Sequence, residues 1–198
     1  MQSAVTPSPF EIRTVAVIGA GTAGRSFALA CVAAGFHVVL EDVMPANLRR
    51  AEADFAEMDL RDSPGSLDLA LTVEDAVREA DIAVDFVPDE LESKLEIFSM
   101  VDRMAPPKTI LCTPSDALSI TDLASCVYRP ERCFAVRGDF TGGVAGEGSA
   151  VRLLYPASAD ERALAATGDF LRSLRMSVQN ESDPDAPVLM KNQTQAVS

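Results

Sequence analysis

The chain has 198 residues, of which 47% are hydrophobic and 24% are charged. This length supports one domain that buries roughly 70% of its unfolded surface, and the composition excludes a mainly disordered chain. Because 30 acidic residues outnumber 17 basic ones, the formal charge of −13 at pH 7 repels the phosphates of nucleic acid, and we expect no nucleic-acid partner.

Strand and helix patterns alternate along the chain after a flexible arm that we expect over residues 1–11. Short apolar runs predict strands at 14–18, 38–40, 69–71, 82–87, 109–113, 133–136, 151–155 and 176–179. Apolar residues at helical spacing predict helices at 22–34, 47–58, 73–79, 91–101, 120–127 and 160–174. This alternation indicates an α/β fold of the Rossmann type, with helices on both faces of a doubly wound, mainly parallel sheet. We expect a single domain over residues 12–180 and a polar tail over 181–198.

A glycine-rich turn follows the first predicted strand. Gly19, Gly21 and Gly24 have the spacing Gly-x-Gly-x-x-Gly. The first permits a tight turn, the second lets a diphosphate approach the backbone, and the third allows close packing of helix on strand. Thr22 and Ala23 open the helix, where free N–H groups and the helix dipole favour an anion. The position of the motif between a strand and a helix predicts a dinucleotide site; a Rossmann domain that no longer binds a dinucleotide is the alternative.

Two carboxylates, Glu41 and Asp42, stand at the end of the second predicted strand, 17 and 18 residues after Gly24. An acidic side chain at this place accepts hydrogen bonds from the adenosine ribose hydroxyls. No arginine follows the strand directly to receive the 2′-phosphate of NADP. The pattern therefore favours NAD over NADP.

Cysteine and histidine content argues against a metal site. The four cysteines have no Cys-x-x-Cys spacing, and His37 is the single histidine, so we expect reduced thiols and no bound metal.

The amino terminus lacks the basic and apolar regions of a signal peptide, and no apolar run approaches the roughly 20 residues of a membrane span. We therefore expect a cytoplasmic protein without a membrane partner.

Five segments carry a family resemblance: VAVIGAGTAGRSFALACVAAGFHVVLEDVMPANLRRA, VPDELESKLEIF, MAPPKTIL, LSITDLA and RPERCFAV. In order and spacing they resemble the NAD-binding domain of the 3-hydroxyacyl-CoA dehydrogenase family over residues 12–180. The resemblance implies an NAD-dependent oxidoreductase of fatty acid metabolism, with the glycine turn on the diphosphate and Asp42 on the adenosine ribose. In that family a helical domain follows and closes over the acyl-CoA. This chain ends where that domain would begin, so we expect a standalone dinucleotide domain.

The same resemblance places Asp89 and Lys94, in the phrase PDELESK, at the nicotinamide half of the cofactor. An exposed helix start with a solvated charge pair is the alternative for these two residues.

The residues at the catalytic positions differ from the motif of the family. The resemblance implies a histidine in Gly-Leu-His-Phe-Phe-Asn-Pro, a glutamate partner in the next strand and a preceding Ser-Asn pair. Here Arg137 takes the histidine position, no glutamate stands around 151–152, and Thr-Pro-Ser-Asp occupies 113–116. A guanidinium does not exchange its proton at neutral pH. Arg137 is therefore an anchor for a substrate carboxylate or phosphate, an oxyanion stabiliser, or a salt-bridge partner of Asp139, Asp116 or Glu147.

Two functions from different classes stay open. The first is an oxidoreductase with a rebuilt proton relay, acting on a small-molecule substrate such as an acyl-CoA or an oxo acid. Its candidate proton-transfer residues are Tyr155, Asp116, Asp139 and Glu147, and the glycine-rich stretch 142–148 is either a cover for the nicotinamide or a surface loop. The second is a non-catalytic NAD(H)-binding protein, a sensor or a partner subunit. Self-association or a partner subunit is compatible with both.

Overall fold

The computed structural model describes residues 10–59, 65–140 and 149–183. Strands and helices alternate through most of these residues. The strands are β1 (Thr14–Ile18), β2 (His37–Glu41), β3 (Ser66–Ala70), β4 (Ile82–Asp85), β5 (Ile110–Pro114), β6 (Cys133–Arg137), β7 (Ala150–Tyr155) and β8 (Ser177–Ser182). The helices are α1 (Thr22–Ala33), α2 (Pro45–Ala56), α3 (Val73–Val77), α4 (Leu91–Met104), α5 (Ile120–Ala124) and α6 (Glu161–Ser173).

The described strands form one sheet in the order β3-β2-β1-β4-β5-β6-β7-β8. Neighbours run parallel except β6 and β7, which are antiparallel. The predicted Rossmann-type, mainly parallel sheet is therefore confirmed. The order of the strands reverses between β1 and β4, and in such sheets ligands bind in the crevice at the carboxyl ends of the strands flanking that point.

Helices cover both faces of the sheet. On one face α1, α2 and α6 pack through residues such as Phe27, Leu48 and Phe170. On the other face α3, α4 and α5 pack through residues such as Val73, Phe98 and Leu123. This two-sided burial explains why the central strands are short apolar runs. Within the described ranges, no helix is both long and apolar enough to cross a membrane.

The two outer strands differ from their predicted positions. The strand predicted at 69–71 is β3, which begins at Ser66 because it pairs with β2 from His37 onward. It is an edge strand whose first half alternates Leu67 with Ser66 and Asp68, so only its last two residues belong to the predicted apolar run. The strand predicted at 176–179 extends to Ser182, which pairs with Tyr155, so the ordered domain continues past the predicted boundary at 180.

The predicted flexible arm over residues 1–11 is wrong for Phe10. Its side chain is buried in the core with α1 and α6, and the guanidinium groups of Arg132 and Arg162 lie 5.3 and 5.9 Å from its ring centre. This residue therefore belongs to the domain. Residues 1–9 lie outside the described part of the chain.

Candidate functional site

The glycine turn between β1 and α1 has the geometry of a diphosphate cradle. Gly19 has φ +97°, and a Cβ on it would lie 3.1 Å from the carbonyl oxygen of Phe86. A Cβ on Gly24 would lie 1.9 Å from the carbonyl oxygen of Gly19, so only glycine allows this approach of helix to strand. A Cβ on Gly21 would meet nothing within 4 Å. Gly21 therefore borders open space at the start of α1, where no side chain caps the helix and its N–H groups favour an anion.

Asp42 connects the glycine turn to the loop after β2. Its Oδ2 accepts hydrogen bonds from the Ala20 N–H at 2.8 Å and from Asn47 Nδ2 at 3.0 Å, and its Oδ1 accepts one from the Met44 N–H at 2.7 Å. Each carboxylate oxygen has about two acceptor positions, so Oδ1 retains capacity for a ribose hydroxyl. Asp42 is thus held where the sequence predicts the ribose acceptor.

The side chains of Glu41 and Asp42 have different surroundings, because successive side chains at the end of β2 point to opposite faces of the sheet. Leu40 packs on the α1 face and Val39 on the α3 face, so the Glu41 side chain lies on the α3 face of β2. It is 4% exposed. Burial, and to a lesser extent the charge of Asp42, raises the pKa of Glu41 to about 7. The sequence treats the two carboxylates as one acidic pair, whereas the fold gives them different surroundings.

The raised pKa of Glu41 predicts a pH-dependent stability. The folded state keeps the proton up to about pH 7, whereas the unfolded chain loses it near 4.5, so the free energy of unfolding falls between these values by about 3 kcal/mol. We expect Glu41→Gln to remove this fall and to stabilise the protein by about 1–3 kcal/mol at pH 8. Urea unfolding at pH 5, 6, 7 and 8 measures it, with Glu52→Gln, an exposed position on α2, as the matched control. Parallel pH profiles for wild type and Glu41→Gln would contradict the assignment.

A cavity of about 400 Å³ adjoins the glycine turn at the carboxyl ends of β4, β5 and β6. The rings of Phe86 and Phe140 form part of its wall in an edge-to-face pair with centroids 5.8 Å apart. Asp89, Asp116 and Asp139 supply carboxylates to its lining, and the described lining contains no basic side chain. The cavity therefore has aromatic and acidic side chains in its wall next to the glycine turn.

Asp89 and Lys94 have different surroundings, although the sequence places them together. Asp89 lines the cavity, and its Oδ2 accepts a hydrogen bond from the Asp116 N–H at 3.1 Å. The Lys94 side chain is 1% exposed, and its Nζ lies 3.5 Å from Asp85 Oδ2. The alternative of a solvated Asp89–Lys94 pair is therefore wrong. Burial raises the pKa of the Asp85 carboxyl, and the ammonium of Lys94 opposes that rise.

Arg137 ends β6 on the face of the sheet opposite to Val136, which lines the cavity. Its Nε donates to the carbonyl oxygen of Ser115 at 3.3 Å and its Nη2 to that of Leu118 at 3.4 Å. In the described part of the chain its Nη1 has no hydrogen-bond partner, and no carboxylate of that part pairs with it. The salt bridges considered for Asp116 and Asp139 are therefore not formed. Ser115 lines the cavity, so the guanidinium lies behind that wall.

The antiparallel pairing of β6 and β7 places Arg152 directly opposite Arg137. Paired residues project on the same face, and two like charges there repel each other. The charge of Arg152 is compensated by Glu181, whose Oε2 lies 3.2 Å from Arg152 Nη1. Where the resemblance implies a histidine with a glutamate partner, the fold therefore presents two arginines.

The other candidate proton-transfer residues are dispersed. Tyr155 is part of β7 and packs against the core, and Glu147 lies outside the described residues, as does the stretch 142–148. His37, which is not one of these candidates, begins β2 at the end of the strands opposite the cavity, where its Nδ1 lies 2.8 Å from Ser66 Oγ. Asp116 and Asp139 are the two that line the cavity.

Sequence reasoning missed Asp85 and Phe140, and at 151–152 it noted the missing glutamate but not that Arg152 stands opposite Arg137. A carboxylate closing the apolar run of β4 was the available signal for Asp85, because a charge in a buried strand needs a partner. No local signal marks Phe140, which lines the cavity through its packing against Phe86.

Comparison with known proteins agrees with this geometry. Residues 14–137 match the family model for the 3-hydroxyacyl-CoA dehydrogenase, NAD binding domain. The chain is 32% identical over 135 residues to a probable 3-hydroxybutyryl-CoA dehydrogenase of Bacillus subtilis (strain 168), covering 62% of this chain and 47% of that protein. It is 30% identical over 132 residues to an L-carnitine dehydrogenase of Burkholderia mallei (strain ATCC 23344), covering 62% and 41%.

A solved structure shows the same fold. The (S)-3-hydroxybutyryl-CoA dehydrogenase from Ralstonia eutropha has a TM-score of 0.77 at 20% identity, covering 91% of this chain and 67% of that chain. The chain spans less than half the length of the two curated relatives above. The family model covers more than half of the chain, and its cofactor, NAD, suits the open cradle at Gly21. The chain therefore belongs to the 3-hydroxyacyl-CoA dehydrogenase family, of which it carries the NAD-binding domain.

Proposed function

We propose that this protein is an NAD-dependent oxidoreductase that interconverts a hydroxy and an oxo group on a small acid or acyl substrate. The observation that carries the proposal is that the glycine turn and Asp42 directly adjoin the cavity. The glycine turn borders open space, Asp42 is held beside it, and the cavity begins at Ala23 in the first turn of α1. When bound, NAD supplies or accepts the hydride.

The residues of this chain then have separate roles. The N–H groups at the start of α1 bind the diphosphate, and Asp42 accepts from the adenosine ribose. Phe86 and Phe140 exclude water from one side of the cavity. Asp116 and Asp139 are the candidates to give or take the proton, since both line the cavity. Arg137 holds the carbonyl oxygens of Ser115 and Leu118 behind the cavity wall; to orient a substrate carboxylate or to stabilise an oxyanion, its guanidinium would have to turn from these carbonyl oxygens into the cavity.

One observation favours a second candidate function, a non-catalytic NAD(H)-binding protein. The described cavity lining contains no imidazole, and Arg137 takes the position of the base. Turnover separates the two functions: NADH absorbance is followed with a panel of 3-oxoacyl thioesters and free 2- and 3-oxo acids. Oxidation of NADH that depends on one of these substrates supports the enzyme. Tight NADH binding without turnover of any of them supports the binding protein. Cytoplasmic location and self-association stay predictions from the sequence.

Cofactor choice gives a direct test of the adenosine site. We expect NADH to bind at least about tenfold more tightly than NADPH, because the 2′-phosphate of NADPH would lie close to the Asp42 carboxylate. Two like charges about 5 Å apart cost on the order of 3 kcal/mol before screening. Asp42→Ala should weaken NADH binding by about 10- to 100-fold and reduce that preference. Calorimetric titration of both cofactors measures it. Asn47→Ala, which removes a neighbour of Asp42 and keeps the carboxylate, is the control. Equal or tighter NADPH binding by wild type would contradict the assignment.

A further inference from the structure

A buried ion pair lies under the turn that joins β4 to α4, residues 86–90. Lys94 Nζ donates to the carbonyl oxygen of Asp85 at 3.3 Å and lies 3.5 Å from Asp85 Oδ2. Thr113 Oγ1 of β5 donates to the same Oδ2 at 3.2 Å. The other carboxylate oxygen, Oδ1, accepts from the Val87 N–H at 2.8 Å. The pair therefore joins α4, the end of β4 and the backbone of the turn.

This turn packs against the glycine turn. The Phe86 N–H donates to the carbonyl oxygen of Ile18 at 2.7 Å, immediately before Gly19. Cβ atoms on Gly19 and Gly24 would both lie 3.1 Å from atoms of Phe86. Phe86 and Asp89 of the same turn line the cavity. A shift of the turn would therefore move one wall of the cavity and the support of the diphosphate cradle together.

Lys94 itself has no access to a ligand in this arrangement. Its side chain is 1% exposed, and the described lining of the cavity includes residues of the turn above it but not Lys94. The charge is compensated by Asp85, whose side chain is 4% exposed. Any effect of Lys94 on the cofactor has to pass through Asp85 and the turn.

We infer that Lys94 and Asp85 are positioning residues, which hold the turn at 86–90 against the glycine turn and thereby set the affinity for NAD(H) without touching it. The inference rests on the proposed function in that NAD(H) occupies the glycine turn and the cavity. It differs from a direct contact of Lys94 with the nicotinamide half, which the position of this residue in the sequence suggests.

Three variants test the inference: Lys94→Met, Asp85→Asn, and the double variant. Either single change leaves one buried charge without its partner and should weaken NADH binding by about 10- to 100-fold, because small displacements of a binding wall have large effects. The double variant has no charge to compensate, and Asn keeps an oxygen to accept from the Val87 N–H. We expect its NADH affinity to return to within about threefold of wild type.

Hydrogen exchange of the Val87 amide reports the turn without any cofactor. Protection should fall in each single variant and return in the double variant. Lys108→Met removes a lysine charge at the far end of the sheet, where it pairs with Asp81, and should change neither readout.

Weak NADH binding in both Lys94→Met and the double variant, with Val87 protection unchanged, would show direct contact and overturn the inference. An unchanged affinity in Lys94→Met would overturn it as well. If one single variant does not fold, the other and the double variant carry the same comparison. If wild type binds no NADH, the proposed function fails, while the Val87 exchange still decides whether the pair holds the turn.

Discussion

Replacing Gly21 with valine is expected to abolish NADH binding and to leave the folded protein intact. The backbone of Gly21 has φ −61°, which valine tolerates, and its Cβ would meet no protein atom within 4 Å. The added side chain therefore occupies the space where the diphosphate approaches the backbone. We expect at least a 100-fold loss of affinity, about 2.7 kcal/mol.

Thermal unfolding with and without NADH measures this effect. Ligand at about 100 times its Kd stabilises wild type by about 2.7 kcal/mol, and Gly21→Val should show no such gain while its Tm without cofactor stays near that of wild type. Gly24→Ala is the matched comparison, since its Cβ would lie 1.9 Å from the carbonyl oxygen of Gly19. That variant should lose about 3 kcal/mol of stability even without cofactor. A full NADH-induced rise in Tm for Gly21→Val would place the diphosphate elsewhere.

The second large effect concerns the missing base. We expect little or no oxidation of NADH with acetoacetyl-CoA at neutral pH, because general acid–base catalysis typically contributes about 10²- to 10⁴-fold and Arg137 cannot supply it. Rapid turnover of acetoacetyl-CoA by wild type would show that another residue carries the proton.

Variants at Arg137 and Arg152 extend this test. Arg137→His alone should recover less than about tenfold, because the residue opposite is Arg152, which repels an imidazolium and cannot orient it, and such groups act as a unit. Combining it with Arg152→Glu should give a gain larger than the product of the two single effects. If instead wild type reduces an oxo acid, Arg137→Met should raise KM more than it lowers kcat. If the gains of Arg137→His and Arg152→Glu simply multiply in the double variant, the two positions do not act as a unit. If Arg137→Met changes only kcat, Arg137 does not anchor the substrate.

The amino-acid sequence by itself determined the order of the elements and the cofactor, NAD, and it predicts which residues bind that cofactor. The short apolar runs of the central strands carry their own signal, because a strand buried on both faces has to be apolar. The glycine turn and Asp42 are likewise local features, since each depends on a few neighbouring residues at the end of a strand. The first half of edge strand β3 and the far end of β8 lack such a signal, because polar residues are tolerated there.

Only the tertiary structure decided what surrounds each charged group. The sequence places Lys94 with Asp89, but packing of α4 on the end of β4 buries Lys94 against Asp85. It also treats Glu41 and Asp42 as one acidic pair, although strand alternation sends them to different faces of the sheet. Arg137 and Arg152 become opposite residues only through the register of β6 and β7. Burial and pairing depend on contacts between segments far apart in the chain, and no local pattern of residues encodes them.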